Sequence, residues 1–268
     1  MSTLVRLSLT PVKGLHLAHA DEVELTGAGI ATDRRFFLVD RDGELVDPSD
    51  HGELLRVVPD YDPVREHLRL SFPDGSVVEG RADRFGDPVA TDVFGHVAHG
   101  RRVLGPFDRA LSTFAGSPVE LARADRDGAA QDAQPLTIVS SESVRDLGVR
   151  GGRDGLDARR FRINLEVAGA DPYEEDTWAG RSVRIGAATI RVLGQIPRCV
   201  ITTLGPDSGE KDFNTLTVIA RYRPRIGGRG GLPFGMYAEV VEPGTVRVGD
   251  VVEPLSSSRG TATTDDGR

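Results

Sequence analysis

The stretch 194–212, GQIPRCVITTLGPDSGEKD, holds the only cysteine of a 268-residue chain. A single thiol forms no intramolecular disulfide, and alone it cannot supply the several thiolates of a zinc knuckle or an iron–sulfur cluster. Three readings of Cys199 stay open: a small buried hydrophobe, a nucleophile, or one thiolate ligand to a soft metal held mainly by something else. Arg198, if its guanidinium lies near the sulfur, favours the thiolate that the last two roles need. Pro197 biases Ile196 toward an extended conformation, so the thiol is expected just after a strand or bend. Asp207, in GPDSG, reads as a turn residue, with proton handling near a metal as the alternative.

The other chemistry-bearing types give less. His16-x-x-His19 and His96-x-x-His99 have ligand spacing only on a helix, and both fall in strand or loop context, so they are read as exposed. No G-x-S-x-G, H-E-x-x-H, Walker or G-x-G-x-x-G pattern is present. Among 33 basic residues only Lys13 and Lys211 are lysines, leaving 31 arginines by subtraction. Lys13, within PVKG, stands out against that background.

The elements that must position these residues follow from periodicity. Val5, Leu7 and Leu9 alternate with polar neighbours as in a half-buried strand, and Val23 with Leu25 repeats the pattern. Phe36 to Asp40 reads as a further strand, and Asp42-Gly43 is the dipeptide that closes a two-residue hairpin onto Glu44, Leu45 and Val46. Leu68, Leu70 and Phe72 lead through Pro73-Asp74-Gly75 into Val77 and Val78. Phe107, Ala110, Leu111 and Phe114 mark one face of a helix that Gly116 ends. Leu136 to Val139 is a buried strand running into Ser140 and Ser141, which cap a helix through Leu147. Val183 and Ile185 pair with Ile190 and Val192 in a hairpin leading to Cys199. Asn214 is placed to cap a short helix with Leu216, Ile219 and Ala220 inward, its β-branched residues keeping a strand as the alternative, and segments 236–241 and 246–252 are expected to be a last pair of strands. The fold class is therefore mostly β with some α (α+β), the first hundred residues being barrel-like.

Length and composition bound the rest. The chain is long enough for one large domain or two without a disulfide. With 38% hydrophobic residues and no apolar run of about eighteen residues, no membrane span is expected. The opening residues read as a strand rather than a signal peptide, which makes a cytoplasmic protein the default. A net charge of −8 argues against general nucleic-acid affinity.

Several stretches together carry a resemblance. RFRINLEVAGADPYEEDTWAG lies before the cysteine, and ITTLGPDSGEKD and FGMYAEVVEPGTVRVGDVV follow it; in order and spacing they resemble the MOSC family, named for the molybdenum-cofactor sulfurase C-terminal domain. The opening LTPVKGLHLAHADEVELTGAGIATDRRFFLVDRDGELV resembles the β-barrel domain that precedes MOSC in amidoxime-reducing proteins. The match weakens over 46–117. It implies an N-terminal β-barrel domain (1–117), a MOSC β-barrel domain (118–255) and a disordered tail (256–268).

The resemblance further implies a molybdenum cofactor, a molybdopterin whose pterin dithiolene carries a terminal phosphate. By motif position Cys199 matches the metal ligand, while Lys13, Arg35, Arg162 and Asn164 match residues holding pterin and phosphate. Ser140 and Ser141 match a serine turn on the pterin side, and Tyr237 a residue near the cofactor. Lys13 and Arg35 as solvated surface charges, Asn164 as a structural bond-maker and Tyr237 as core are the plainer alternatives. Lys13, Arg35 and Arg162 are expected to converge on one phosphate-sized pocket.

Gly14 stands where some relatives carry a serine, so one bond to the phosphate is expected to be missing. The implied function is reduction of N-hydroxylated small molecules such as amidoximes, hydroxamates or hydroxylamines. Electrons are expected from a separate reductase, because the chain has neither a dinucleotide fingerprint nor the cysteines for a cluster. The alternative is a non-catalytic carrier of the cofactor or of sulfur on Cys199.

Overall fold

A computed structural model describes residues 1–256; the expected tail beyond Ser256 lies outside the described residues. Seven strands close into a barrel in the order Leu165–Ala168, Leu136–Ser140, Leu232–Glu242, Ala188–Arg198, Ser182–Ile185, Val251–Pro254 and Ser2–Leu9, the last returning to Leu165–Ala168. Closure leaves no edge to protect. Its interior is filled by Leu4, Leu7, Ile138, Leu165, Val183, Ile190, Val192, Met236 and Trp178. Only the Leu136–Ser140 and Leu165–Ala168 pair is parallel, and the crossover between them carries helix α2 (Ser141–Arg150).

Seven further strands form a second, N-terminal body. A four-stranded sheet orders Phe36–Val39, Glu120–Ala124, Val97–Val103 and Phe85–Asp92, and a three-stranded one orders Val58–Asp62, His67–Ser71 and Val77–Arg81. Between them lies a core of Val12, Phe36, Leu38, Leu68, Leu70, Phe107, Leu111 and Leu121. Phe107 and Leu111 come from the expected helix (Phe107–Ala115), which Gly116 ends in the left-handed conformation.

The two bodies interlock. Although Ser2–Leu9 opens the chain, it is a stave of the closed barrel, and Glu22–Thr26 pairs with Gly244–Arg247 near the other end. The division expected near residue 117 is thus one of chain order; the first thirty residues lie across it.

Two expectations about strands are corrected. Leu4 and Leu7 are buried and Val5 is exposed, because a bulge between Leu4 and Arg6 shifts the register against Leu165–Ala168. The last pair, expected at 236–241 and 246–252, is instead three strands with different partners: Leu232–Glu242 pairs with Leu136–Ser140 and Ala188–Arg198, Gly244–Arg247 with Glu22–Thr26, and Val251–Pro254 with Ser182–Ile185 and Ser2–Leu9. The turn at Gly249 (φ 96) separates the last two.

Beneath α2 a carboxyl is buried with half its hydrogen-bonding capacity unused. Glu175 is 1% exposed; its Oε2 accepts from Ser143 Oγ at 2.9 Å, and its Oε1 has no partner. Burial pushes its pKa up to about 7. The folded form therefore holds a proton that the unfolded chain releases near the ordinary carboxyl value. The stability this contributes is present at low pH and is lost as pH rises toward 7. Glu175→Gln should match the parent in unfolding free energy at pH 4 and exceed it at pH 8 by up to roughly 3 kcal/mol. Urea titrations at both pH values test this, and equal midpoints at pH 8 would contradict the buried-proton account.

Candidate functional site

Cys199 ends the longest barrel hairpin. It follows Ala188–Arg198 directly, in extended conformation, and caps the short turn Val200–Thr203 with its carbonyl, which accepts from Thr202 N and Thr202 Oγ1. The thiol is exposed. Register shifts between Val192 and Gln195 and between Gln195 and Pro197 re-aim the strand end, as bulges beside sites often do.

The arginine before it is aimed inward. Arg198 Nε donates to Phe234 O at 2.7 Å and Nη1 to Phe161 O at 3.0 Å, while the stacked Phe161 and Phe234 rings pack nearby. Its Nη2 is buried and has no partner. Gly235 makes room: its φ is +71 and an added Cβ would lie 3.2 Å from Nη2. Burial pulls the Arg198 pKa down to about 10.

Cys199, Arg198, Ile196, Pro197 and Tyr237 line one side of a cavity of about 430 Å³, within the size range of small-molecule sites. Lys13, Gly14, Arg34, Arg162, Asp132 and Phe94 line other parts of it. Lys13 is 5% exposed, which excludes the surface-charge reading; its ammonium meets the Asp132 carboxylate and lies 5.2 Å from the Phe94 ring centroid. Burial lowers its pKa, with Arg34 and Arg162 acting the same way and Asp132 opposing. Tyr237 is pushed up by burial and by Asp132.

Arg34 and Arg162 share an unusual backbone. Their φ values, +52 and +53, are left-handed positions that non-glycine residues seldom occupy. Arg34 N donates to Thr10 O at 2.7 Å, and Arg162 N to Arg159 O at 2.9 Å, where the turn Ala158–Phe161 ends. Arg34 is paired with Asp33. Arg162 donates to Leu15 O at 2.8 Å and, like Arg198, has no carboxylate partner among the described residues. Burial, then repulsion from Arg34, takes its pKa down to about 10.

The residues expected at the site divide. Cys199, Lys13, Arg162 and Tyr237 meet in one cavity. Arg35 does not: it turns outward to Asp127 at 2.7 Å, and its neighbour Arg34 takes the inward position. Thr32 and Arg34 are both left-handed, and this breaks the simple alternation that a sequence reading assumes. Asp207 is 65% exposed on its side chain and paired with Arg159, away from the cavity lining.

Ser140 is fully buried as the α2 cap, accepting from Glu142 N, and Ser141 Oγ donates to Glu166. Neither lines the cavity. Asn164 is a structural bond-maker: Nδ2 donates to Ser8 O and to Asp33 Oδ2, both at 3.1 Å, and Oδ1 accepts from Thr137 Oγ1 at 3.0 Å. Through Asp33 it fixes Arg34. His16 and His96, expected to be exposed, are half-buried and face the carbonyls of Leu55 and Ala129.

Arg34, Asp132, Phe94 and Arg198 are the lining residues that sequence reasoning passed over as binding groups. Arg198 had a signal in its place beside the only cysteine; Phe94 and Asp132 lie in stretches without periodicity.

A closed barrel interlocked with a second β body, with an exposed thiol and an excess of cations lining one cavity, defines the class of protein. Comparison with known families assigns it: residues 1–116 match the MOSC N-terminal beta barrel domain and 125–253 the MOSC domain, so the chain belongs to the MOSC family. Similar proteins include mitochondrial amidoxime reducing component 2 of Homo sapiens, 26% identical over 94% of this chain and 83% of that protein. The same component of Macaca fascicularis is 27% identical over the same shares. Molybdenum cofactor sulfurase of Oryza sativa subsp. japonica is 28% identical over 89% of this chain but 33% of its own length. Among solved structures, the YUAD protein from Bacillus subtilis aligns over 95% of this chain and 96% of its own, with 14% identity and a TM-score of 0.45.

Recessed guanidinium groups without counter-charges attract anions, so inorganic phosphate should raise the melting temperature at constant ionic strength set with chloride. At a hundred times the dissociation constant the gain is about 2.7 kcal/mol. Arg162→Gly, which suits the left-handed backbone better than Ala, should lose most of that shift. An identical phosphate response in the variant would remove Arg162 from the anion site.

Proposed function

We propose that the chain is a molybdenum-cofactor-dependent oxidoreductase that reduces N-hydroxylated small molecules to the corresponding N–H compounds. The observation that carries this reading is the convergence, in one cavity, of an exposed thiol with two arginines that lack carboxylate partners. A pterin dithiolene with a terminal phosphate needs such a set: anion-binding cations and one soft ligand. The orphaned Nη2 of Arg198 is a donor awaiting an acceptor, which supports the fit.

In this reading Lys13, Arg34 and Arg162 hold the phosphate, and Cys199 supplies the thiolate ligand. When bound, the cofactor supplies two-electron oxygen-atom chemistry. Tyr237, beside Arg198, bears a hydroxyl that can hold a proton toward the cavity. The overall change is N–OH plus two electrons and two protons giving N–H plus water. The electrons come from a separate reductase, since the sequence has no dinucleotide fingerprint and a single cysteine.

The reading draws further support from the relatives, among which two proteins named mitochondrial amidoxime reducing component 2 align with 94% of the chain. A carrier of cofactor or sulfur on Cys199 is the competing reading, in keeping with the cofactor sulfurases among the relatives.

Protein produced in a molybdopterin-competent host should contain near-stoichiometric molybdenum and reduce a hydroxamate with a small chemical donor, yet fail with a nicotinamide nucleotide alone. Cys199→Ala should retain most of the pterin and lose turnover, because phosphate contacts and thiolate come from different segments. Molybdenum and pterin content and turnover, measured on the same preparations, separate the two readings. Equal turnover per bound molybdenum in both proteins would sink the ligand role of Cys199. Absence of molybdenum with a sulfane-reactive thiol would favour the carrier.

A further inference from the structure

The segment 213–238 contains no aspartate or glutamate in a chain that has 41, yet it contains Arg221, Arg223, Arg225 and Arg229. Arg223 is buried against Asp176 and holds the fold together there. The other three are exposed and have no carboxylate partner among the described residues.

Two of them sit on a tightly built loop. Ile226 N donates to Gly231 O at 3.1 Å, Gly230 N to Ile226 O at 2.7 Å, and Arg225 Nη1 to Gly230 O at 3.2 Å. Gly227 and Gly228 take φ of +56 and +80 with open space around both. The base of the loop is fixed to the strand that ends at the thiol. Leu232 pairs with Arg198 and Pro233 with Pro197, and a Cβ on Gly231 would lie 2.5 Å from Pro197 Cβ. An exposed, acid-free, arginine-bearing loop therefore stands immediately beside exposed Cys199.

We propose that this loop is the docking surface for an acidic electron-carrier protein that delivers electrons to the Cys199 cavity. The proposal rests on the reductase reading and adds to it where the donor lands and what charge it bears. A chain of net charge −8 repels an acidic partner over most of its surface, so a local positive patch steers encounter and fixes orientation. With Arg225 and Arg229 at the rim, the partner's redox group is brought to the side of the molecule where the thiol opens. The same net charge disfavours a nucleic acid as occupant.

The test uses the holoprotein, a hydroxamate as oxidant, and two donors: reduced flavodoxin, a small acidic flavoprotein, and reduced methyl viologen, which needs no docking surface. For the parent, the flavodoxin-driven rate should fall several-fold as salt rises from about 50 to 300 mM. In Arg225→Ala/Arg229→Ala the concentration of flavodoxin giving half-maximal rate should rise about tenfold with its salt dependence flattened, while the viologen-driven rate stays within twofold. Calorimetric titration with oxidised flavodoxin reads the same loss of affinity without turnover. Unchanged flavodoxin dependence and affinity in the variant, or an equal loss with both donors, would overturn the docking site. A loaded parent that reduces no hydroxamate even with the viologen overturns the reductase reading, and the docking proposal falls with it.

Discussion

Removing a guanidinium from water costs several kcal/mol when it is complete and unpaired, and around Arg162 and Arg198 the fold is arranged to hold that cost in place. Carbonyls rather than carboxylates receive them: Leu15 O for Arg162, and Phe234 O and Phe161 O for Arg198. A carbonyl orients a guanidinium without cancelling its charge. The positive potential thus survives in the cavity, where it is available to an anion. The chain does neutralise comparable arginines nearby, since Arg34 has Asp33 and Arg160 has Asp212. The difference in treatment within one cavity lining concentrates the uncancelled positive charge at Arg162 and Arg198.

The interlocking of the two bodies follows from the same requirement. Lys13 and Arg34 belong to the N-terminal sequence, Arg162 and Cys199 to the barrel, and they can share a cavity only if the first segment is registered against the second. Ser2–Leu9 does this as a barrel stave, bonded at Ser8 N to Asn164 O. Asn164 then ties Ser8, Thr137 and Asp33 together, and Asp33 accepts from Thr10 N at 2.8 Å as well as holding Arg34. A residue from the barrel thereby sets the position of an arginine some 130 places earlier in the chain, without itself lining the cavity.

The strand content, helix Phe107–Ala115 and its glycine stop, the serine cap of α2 and the Asn214 cap were legible because each depends on local periodicity or local hydrogen bonding. What stayed illegible depends on backbone departures that leave no periodic trace. The Leu4/Arg6 bulge exchanges the faces of Val5 and Leu4. The left-handed residues Thr32 and Arg34 exchange the roles of Arg34 and Arg35. Family motifs were informative about which segments meet, and less so about which side chain of a motif points inward. Ser140, Ser141 and Asn164 all lie in motif segments near the cavity, yet their hydrogen bonds are spent on the scaffold.

Gly14 illustrates how such a departure constrains chemistry. Its φ is +88, and an added Cβ would lie 3.4 Å from Pro48 Cδ, so the space there is adequate but the backbone is not one that a side chain adopts without strain. Lys13 N is bonded to Phe36 O and Leu15 N to Val12 O, which fixes the turn around it. A serine at this position would have to hold a left-handed conformation to offer its hydroxyl to an anion, and β-carbon strain would oppose the bond it made. Here the turn is satisfied by glycine, and the polar groups that line the cavity around it are the cations Lys13, Arg34 and Arg162 with Asp47 and Asp132. Within that lining burial lowers the Lys13 pKa, Asp132 opposes the shift, and Arg34 and Arg162 add to it.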